Sequence, residues 1–253
     1  MINFLLSPFS YAFMQRGMAA AVMVGILCSL VGCYIVLRSM AFLGDAVAHA
    51  ILPGVAIAYL LNGNLTFGAL IAAVLVGLGI GFLTRQGNLK EDTAIGILFT
   101  AALALGVALI STIRTYAVDL SHILFGNILG ISDKDLLLTV ALSILVFGTI
   151  LICYKPFLVV SFDPVLAATL RIPIQFMNNL LMILLALTIV ISLQTVGIGL
   201  VAAMLVTPPA TAFLLTKRLV PMMLISALIG VLSSVIGLYL SFYLNIASGS
   251  AIV

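Results

Sequence analysis

The chain has 253 residues, of which 64% are hydrophobic and only 7% are charged. A soluble domain carries roughly 25% charged residues, so this composition excludes an ordinary water-exposed globular protein. The net charge of +3 is too small to indicate a nucleic-acid-binding surface. Because helices satisfy their own backbone hydrogen bonds inside a bilayer, the sequence predicts an all-α membrane protein with one transmembrane domain over residues 1–253.

Apolar segments follow one another along the chain, and each approaches the roughly 20 residues that a helix needs to cross a bilayer. The aromatic-rich residues 1–15 come first and are predicted to form an interfacial segment. Eight transmembrane helices are predicted, over residues 18–37, 41–61, 65–83, 94–111, 136–153, 176–193, 199–215 and 222–244.

The distribution of lysine and arginine predicts which side of the membrane each loop faces, because basic residues are enriched in cytoplasmic loops. With the N-terminus outside, both termini are extracytoplasmic, and three basic residues lie outside: Arg16, Arg114 and Lys134. The cytoplasmic loops then contain seven: Arg38, Arg85, Lys90, Lys155, Arg171, Lys217 and Arg218.

Two connections are longer than a turn. The outer one, residues 113–135, contains His122, which is interpreted as an interfacial residue and not as a ligand. The cytoplasmic one, residues 155–175, is predicted to be a turn followed by a short helix. Asp163 is a good N-cap and Pro164 suits the first helical position, with Pro173 ending the helix. A short capped helix of this kind offers a surface to a partner protein.

Asp45 and His49 are the main chemical signal in the sequence. They stand four residues apart within an otherwise apolar span, so a helix places both side chains on one face. A charge inside a bilayer costs at least about 2.5–3.5 kcal/mol, so it needs a partner or a water-filled path. A carboxylate and an imidazole suit a divalent transition metal, and a two-fold dimer with this helix at its axis would supply four ligands. A proton relay, or a structural pair with each other or with Arg38, remain alternatives.

Proline residues mark two further positions in the spans. Pro53 lies just beyond His49 and is predicted to bend that helix. Pro208 and Pro209 are consecutive in the seventh span and are predicted to break it, because each removes a backbone N–H group. The pair is interpreted either as a hinge or as a static kink in which a threonine hydroxyl satisfies a freed carbonyl group.

The sequence contains no nucleotide-binding glycine-rich loop with its lysine, no paired nucleophile and no H-E-x-x-H zinc motif. We therefore expect the chain not to be an enzyme, and we expect any ATP hydrolysis to occur in a separate subunit.

Six runs of residues resemble the permease subunits of the ABC importers for manganese, zinc and iron(II). They cover nearly the whole chain in the order found in that family. The runs are VLRSMAFLGDAVAHAILPGVAIAYLL from Val36, EDTAIGILFTAALALGV from Glu91, LSHILFGNILGIS from Leu120, FDPVLAATLRIP from Phe162, QTVGIGLVAAMLVTPPATAFLLTKRL from Gln194, and the closing IASGSAIV.

The resemblance implies a two-fold permease dimer in a prokaryotic cell membrane. Its partners would be two cytoplasmic ATP-binding subunits and an extracytoplasmic metal-binding protein, and a homodimer is the simpler assumption. No permanently bound cofactor is implied, because the metal ion is the cargo. Asp45 and His49 would line the metal path. The coupling helix that docks on the ATPase would include Phe162, Asp163, Pro164, Ala167 and Ala168.

The sequence departs from the pattern of the family at four positions. Arg171 stands where glycine is usual, Val165 where an acidic residue is common, Pro209 where alanine is usual, and Asn245 where aspartate is frequent.

The function expected from the sequence is therefore a permease for Mn²⁺, Zn²⁺ or Fe²⁺ that is driven by ATP bound elsewhere. Two alternatives remain: a proton- or sodium-coupled secondary transporter and a membrane scaffold without transport activity. An aspartate and a histidine tolerate all three metals, so the sequence does not identify the ion. Because histidine binds a metal in its neutral form, uptake is expected to weaken as histidines become protonated.

Overall fold

The computed structural model describes residues 10–86, 90–112, 131–244 and 246–253. The predictions for residues 1–9, for residues 113–130 of the outer loop, which include His122, and for Asn245 lie outside these ranges. The helices of the described part are α1 (Ala12–Leu37), α2 (Phe42–Ala50), α3 (Leu52–Leu60), α4 (Leu65–Gln86), α5 (Glu91–Ser111), α6 (Asp133–Ile152), α7 (Tyr154–Phe162), α8 (Pro164–Thr169), α9 (Ile174–Val196), α10 (Ile198–Leu215), α11 (Leu219–Leu244) and α12 (Ser248–Ile252).

Within the described residues, seven stretches are long and apolar enough to cross a membrane, and α2 and α3 together form one of them, Phe42–Leu60. Helix α10 occupies the predicted seventh span, but its apolar stretch, Leu200–Leu215, is shorter. The prediction of an all-α membrane protein is confirmed, whereas the number of eight spans and the dimer stay predictions.

The interfacial segment predicted over residues 1–15 was too long. Helix α1 begins at Ala12, and Met14 in its first turn is only 1% exposed. Residues 12–15 are therefore part of the first transmembrane helix, because the burial of an apolar side chain such as Met14 favours extension of the helix.

Helix α1 lies at the centre of the molecule and packs against α6, α9, α10 and α11. Its crossing with α11 is close, because Gly25 faces Gly230 without side chains between them. Two buried hydroxyl groups tie the same pair of helices: Ser29 donates to the carbonyl of Ser226 at 3.0 Å, and Ser234 donates to that of Ala21 at 3.1 Å. In a membrane, small residues let helices pack closely, and hydroxyl groups form hydrogen bonds between them.

The second span is divided at Ile51 into α2 and α3, close to Pro53; that the helix bends there stays a prediction. Pro53 is the second residue of α3, so it has no N–H group for the carbonyl of His49 one turn earlier. Helix α3 then packs closely on α4, where Gly54 and Gly68 bring the two backbones into contact. The break consequently separates the segment that carries Asp45 and His49 from the segment packed on α4.

The prediction that Pro208 and Pro209 break the seventh span was wrong, because α10 continues through both residues. The Thr211 hydroxyl donates to the carbonyl of Thr207 at 2.9 Å. Pro209 leaves the carbonyl of Leu205 without its usual donor in the helix, and Gly32 of α1 packs directly against that carbonyl. Neighbouring helices support a proline-containing membrane helix in this way, so it need not break.

The connection between α6 and α9 contains two short helices, so the turn predicted at its start is helical. Helix α7 forms there because Phe157 and Val160 are buried. Asp163 caps α8 as predicted, accepting from the N–H groups of Val165 and Leu166 at 3.0 Å each. Pro173 does not end this helix but is the N-cap of α9.

Arg171 reverses the chain after α8 in a left-handed conformation with φ 55°. The N–H groups of Arg171 and Ile172 donate to the carbonyls of Ala168 and Ala167, which is the hydrogen-bond pattern of a Schellman motif. Glycine is the favoured residue at this position because it has no Cβ atom to clash. This geometry explains why glycine is expected at position 171 in the family.

Arg171→Gly is expected to stabilise the protein by up to about 1 kcal/mol, because it removes the left-handed strain of a residue with a Cβ atom. Thermal unfolding in detergent measures the effect, and Arg171→Ala, which removes the same charge but keeps the Cβ atom, is the control. An equal shift in both variants would mean that charge and not backbone strain is responsible.

At each end of α1, polar contacts join this helix to the ends of neighbouring helices. Near its start, Arg16 forms an ion pair of 2.7 Å with Asp133 at the start of α6. Just after its end, Arg38 bonds to Ser161 and to Asn178. Each set of contacts joins helix ends that the distribution of basic residues predicts to lie on the same side of the membrane. Which group faces the cytoplasm stays a prediction.

Candidate functional site

Asp45 and His49 lie on one face of α2, as predicted. Asp45 is in the first turn of this helix and His49 in its last turn. The distance between His49 Nε2 and Asp45 Oδ1 is 3.5 Å. A negative charge near the start of a helix interacts favourably with the helix dipole, so this position suits a carboxylate.

The pair is open on one side of the chain. The side chain of Asp45 is 54% exposed and that of His49 is 31% exposed. The other face of α2 is buried, with these residues at its contact with the bundle: Leu43, Gly44, Ala46, Val47, Ala48 and Ala50. One carboxylate and one imidazole therefore stand together at a surface that the described residues leave partly uncovered.

The imidazole of His49 lies beside α5, in an edge-to-face arrangement with the ring of Phe99 and 6.1 Å between the ring centroids. Phe99 limits the directions from which a ligand reaches the imidazole. No group of three or more metal-binding side chains occurs in the part of the chain that the structure describes. One copy thus offers two ligands there, an oxygen and a nitrogen, which suit a borderline divalent cation.

Arg38 is not the partner of Asp45, although the sequence left that pairing open. Its Nε atom donates to Ser161 Oγ at 3.0 Å and its Nη1 atom donates to Asn178 Oδ1 at 2.9 Å. Neither Ser161 nor Asn178 was predicted from the sequence to be a partner of Arg38. The sequence offered one indication that these residues could meet: all of them lie in or beside loops predicted to be cytoplasmic.

The predicted coupling helix is largely exposed. The exposed fractions are 60% for Phe162 and 77% for Val165, and Asp163, Pro164 and Ala168 are exposed as well. Ala167 is completely buried, so it packs inside the chain and offers no contact surface. An exposed apolar patch at a helix end is suited to bind another protein.

A family model described as the ABC 3 transport family matches residues 10–253. The chain belongs to this family. The resemblance to the permeases of metal-type ABC importers is thereby confirmed at the level of the family. Among curated relatives, the manganese transport system membrane protein MntC of Halalkalibacterium halodurans is 50% identical over 244 residues, which cover 96% of this chain and 84% of the relative.

A second curated relative is named for iron, and a solved structure matches the chain as well. The probable iron transport system membrane protein of Haemophilus influenzae is 39% identical over 253 residues, covering 100% of this chain and 93% of the relative. Among solved structures, PsaBC from Streptococcus pneumoniae in complex with Fab is 40% identical, with a TM-score of 0.87 and coverage of 100% of this chain and 91% of that chain. The ABC 3 fold is therefore shared over the whole length.

Proposed function

We propose that this chain is the transmembrane permease subunit of an ATP-driven importer of a divalent transition metal. The observation that carries the proposal is the Asp45–His49 pair, 3.5 Å apart and open on one side of an otherwise apolar helix. An Asp–His pair with only a structural role would be more stable inside the helix bundle, where other side chains shield it from lipid. An exposed pair needs a polar occupant, and a hydrated or protein-bound cation meets that need.

A second copy of the chain completes the site. Two permeases related by a two-fold axis beside α2 bring two carboxylates and two imidazoles together, and four ligands can enclose an ion. The same contact covers the exposed faces of Asp45 and His49. The dimer also removes the energetic cost of exposing the Asp45 carboxylate to lipid.

Two cytoplasmic ATP-binding subunits supply the energy, and an extracytoplasmic metal-binding protein delivers the ion. The exposed side of α8, with Phe162, Asp163, Pro164 and Ala168, is the surface on which the ATPase docks. The Asp163 cap supports this role because it holds the first turn of α8 in place. Pro208 and Pro209 form a hinge in α10, since two missing N–H groups make bending there less costly.

Manganese is the proposed principal cargo. The relative with 50% identity is named for manganese, whereas the relative with 39% identity is named for iron. A carboxylate and an imidazole bind both ions, so Fe²⁺ is the expected competitor. The ion enters as a substrate and is not retained.

Transport assays in proteoliposomes test the proposal. The permease is reconstituted with its ATPase and carrier, and manganese uptake is measured with ATP, with a non-hydrolysable ATP analogue and with an uncoupler. Uptake that requires hydrolysable ATP and persists with the uncoupler is expected. Uptake that the uncoupler abolishes and that needs no ATP would establish the secondary transporter instead.

Asp163→Ala is expected to weaken the assembly of the permease with its ATPase, because loss of an N-cap destabilises a helix by about 0.5–2 kcal/mol. Asp163→Asn is the matched control, since asparagine caps a helix as well as aspartate does. Co-purification of the ATPase measures the effect. An Asn variant as impaired as the Ala variant would show that the negative charge, and not the cap, makes the contact.

A further inference from the structure

Arg38 joins three segments that are far apart in the sequence. It stands immediately after α1, and its two hydrogen bonds reach Ser161 near the end of α7 and Asn178 in α9, which are 123 and 140 residues away. Ser161 is two residues before Asp163, the cap of α8. A single guanidinium group thus contacts the residues on both sides of the proposed coupling helix.

This contact lies beside a polar cavity of about 250 Å³ between the ends of α1, α4, α5 and α9. Burial lowers the pKa of the Arg38 guanidinium from its ordinary value, and the nearby carboxylate of Glu91 opposes that shift. The Nη2 atom is buried and has no hydrogen-bond partner within the described residues. A partly buried charge with a spare donor next to a cavity has room to exchange partners when the segments around it move, and Glu91 lines the same cavity.

The connection from Arg38 to α2 is short and well defined. Ser39 has φ 58°, and its N–H group donates to the carbonyl of Val36, while that of Met40 donates to Ile35. These bonds form a Schellman motif, which clamps the turn onto the last turn of α1. The N–H group of Leu43 then donates to the carbonyl of Met40 at 2.9 Å, so α2 begins directly after the turn.

We propose that Arg38 is a positioning residue that transmits the movement of the coupling helix to α2, and hence to Asp45 and His49. The proposal rests on the function proposed above. A displacement of the α7–α8 segment acts on the guanidinium through Ser161, and the rigid turn at Ser39 passes the displacement to α2. Two rigid elements joined by one partly buried contact with two hydrogen bonds form a coupled pair of the kind that links distant sites.

The test follows the movement of both ends of this link in the complete complex. The three native cysteines are replaced, and a spin label is attached at Val165 on α8 or at Phe42 at the start of α2. Both positions suit labelling because their side chains are 77% and 76% exposed. Spectra are recorded with and without a non-hydrolysable ATP analogue. With Arg38 intact, nucleotide binding is expected to change both signals.

Arg38→Ala is expected to preserve the nucleotide-dependent change at position 165 and to abolish the change at position 42. Manganese uptake per ATP hydrolysed is expected to fall about 5- to 150-fold, the usual range of coupling between sites. Arg38→Lys is expected to restore part of both readouts, because an ammonium group keeps the charge but lacks the planar fork that reaches two acceptors. Lys155→Ala, which removes an exposed cation from α7, is the matched control.

Two results would overturn the proposal. One is an Arg38→Ala complex in which position 42 still responds to nucleotide. The other is a parallel loss of both signals and of ATP hydrolysis, since that indicates a merely structural role. Asp45→Ala separates this proposal from the transport function: it is expected to reduce uptake by about tenfold or more while position 42 continues to respond. Unchanged uptake in Asp45→Ala would reject the metal site, whereas the two spin labels would still decide whether Arg38 transmits the movement.

Discussion

Asp45→Ala and His49→Ala are each expected to reduce manganese uptake by about tenfold or more. Even outer-shell partners of a metal ligand typically contribute about 10–100-fold to affinity or activity, and a ligand contributes at least as much. In the proposed dimer each substitution removes two of four ligands at once, because both copies carry the change. The loss of Asp45 also removes the negative charge that compensates the cation.

The measurement is initial uptake of manganese at matched expression, over a range of metal concentrations. Asp45→Asn distinguishes the two contributions of the carboxylate, since it keeps an oxygen ligand but removes the charge. Asp92→Ala is the control, because Asp92 is an exposed acidic residue in the first turn of α5. Wild-type uptake in both Asp45→Ala and His49→Ala would refute the metal site.

Gly32→Ala is expected to destabilise the packing of α1 against α10. A Cβ atom at this position would meet the carbonyl oxygen of Leu205, and Pro209 Cγ lies 2.7 Å from the same point. Neither obstacle is a flexible side-chain end, so α1 and α10 must move apart. Overpacking of this kind costs about 1–3 kcal/mol, and occasionally more.

The displacement is also expected to reach α2. Leu205 Cδ1 lies 3.1 Å from the point that a Cβ atom would take at Gly44, the residue before Asp45. Moving α10 therefore changes the support of the proposed site, so Gly32→Ala is expected to lower uptake as well as the thermal midpoint. Gly148→Ala is the control, because nothing lies within 4 Å of its additional Cβ atom. Equal thermal midpoints for the two variants would show that the α1–α10 contact adapts without cost.

In the proposed mechanism, movement passes from α8 through Arg38 to α2, which carries Asp45 and His49. Helix α2 starts at the turn held by Arg38 and ends at the break before Pro53, so it is bounded by a rigid joint at one end and an interrupted helix at the other. Beyond the break, Gly54 and Gly68 hold α3 against α4. Movement of α8 is thus expected to reorient Asp45 and His49 while the rest of the span stays in place.

The sequence alone determined the features that depend on neighbouring residues. Apolar segments of membrane-spanning length predicted the helices, and the spacing of four residues placed Asp45 and His49 on one face. The Asp163 cap was predictable for the same reason, since its acceptors lie within three residues. Periodicity and capping are local properties, so they can be read without knowledge of the fold.

Only the tertiary structure decided the features that depend on distant segments. Pro208 and Pro209 were expected to break their helix, but α10 remains continuous with Gly32 packed against the carbonyl of Leu205. Arg38 was assigned only to a cytoplasmic loop or to a pairing with Asp45, whereas its partners lie more than a hundred residues away. Such contacts arise from the packing of helices against one another, and no local pattern in a nearly uniform apolar sequence specifies which helices meet.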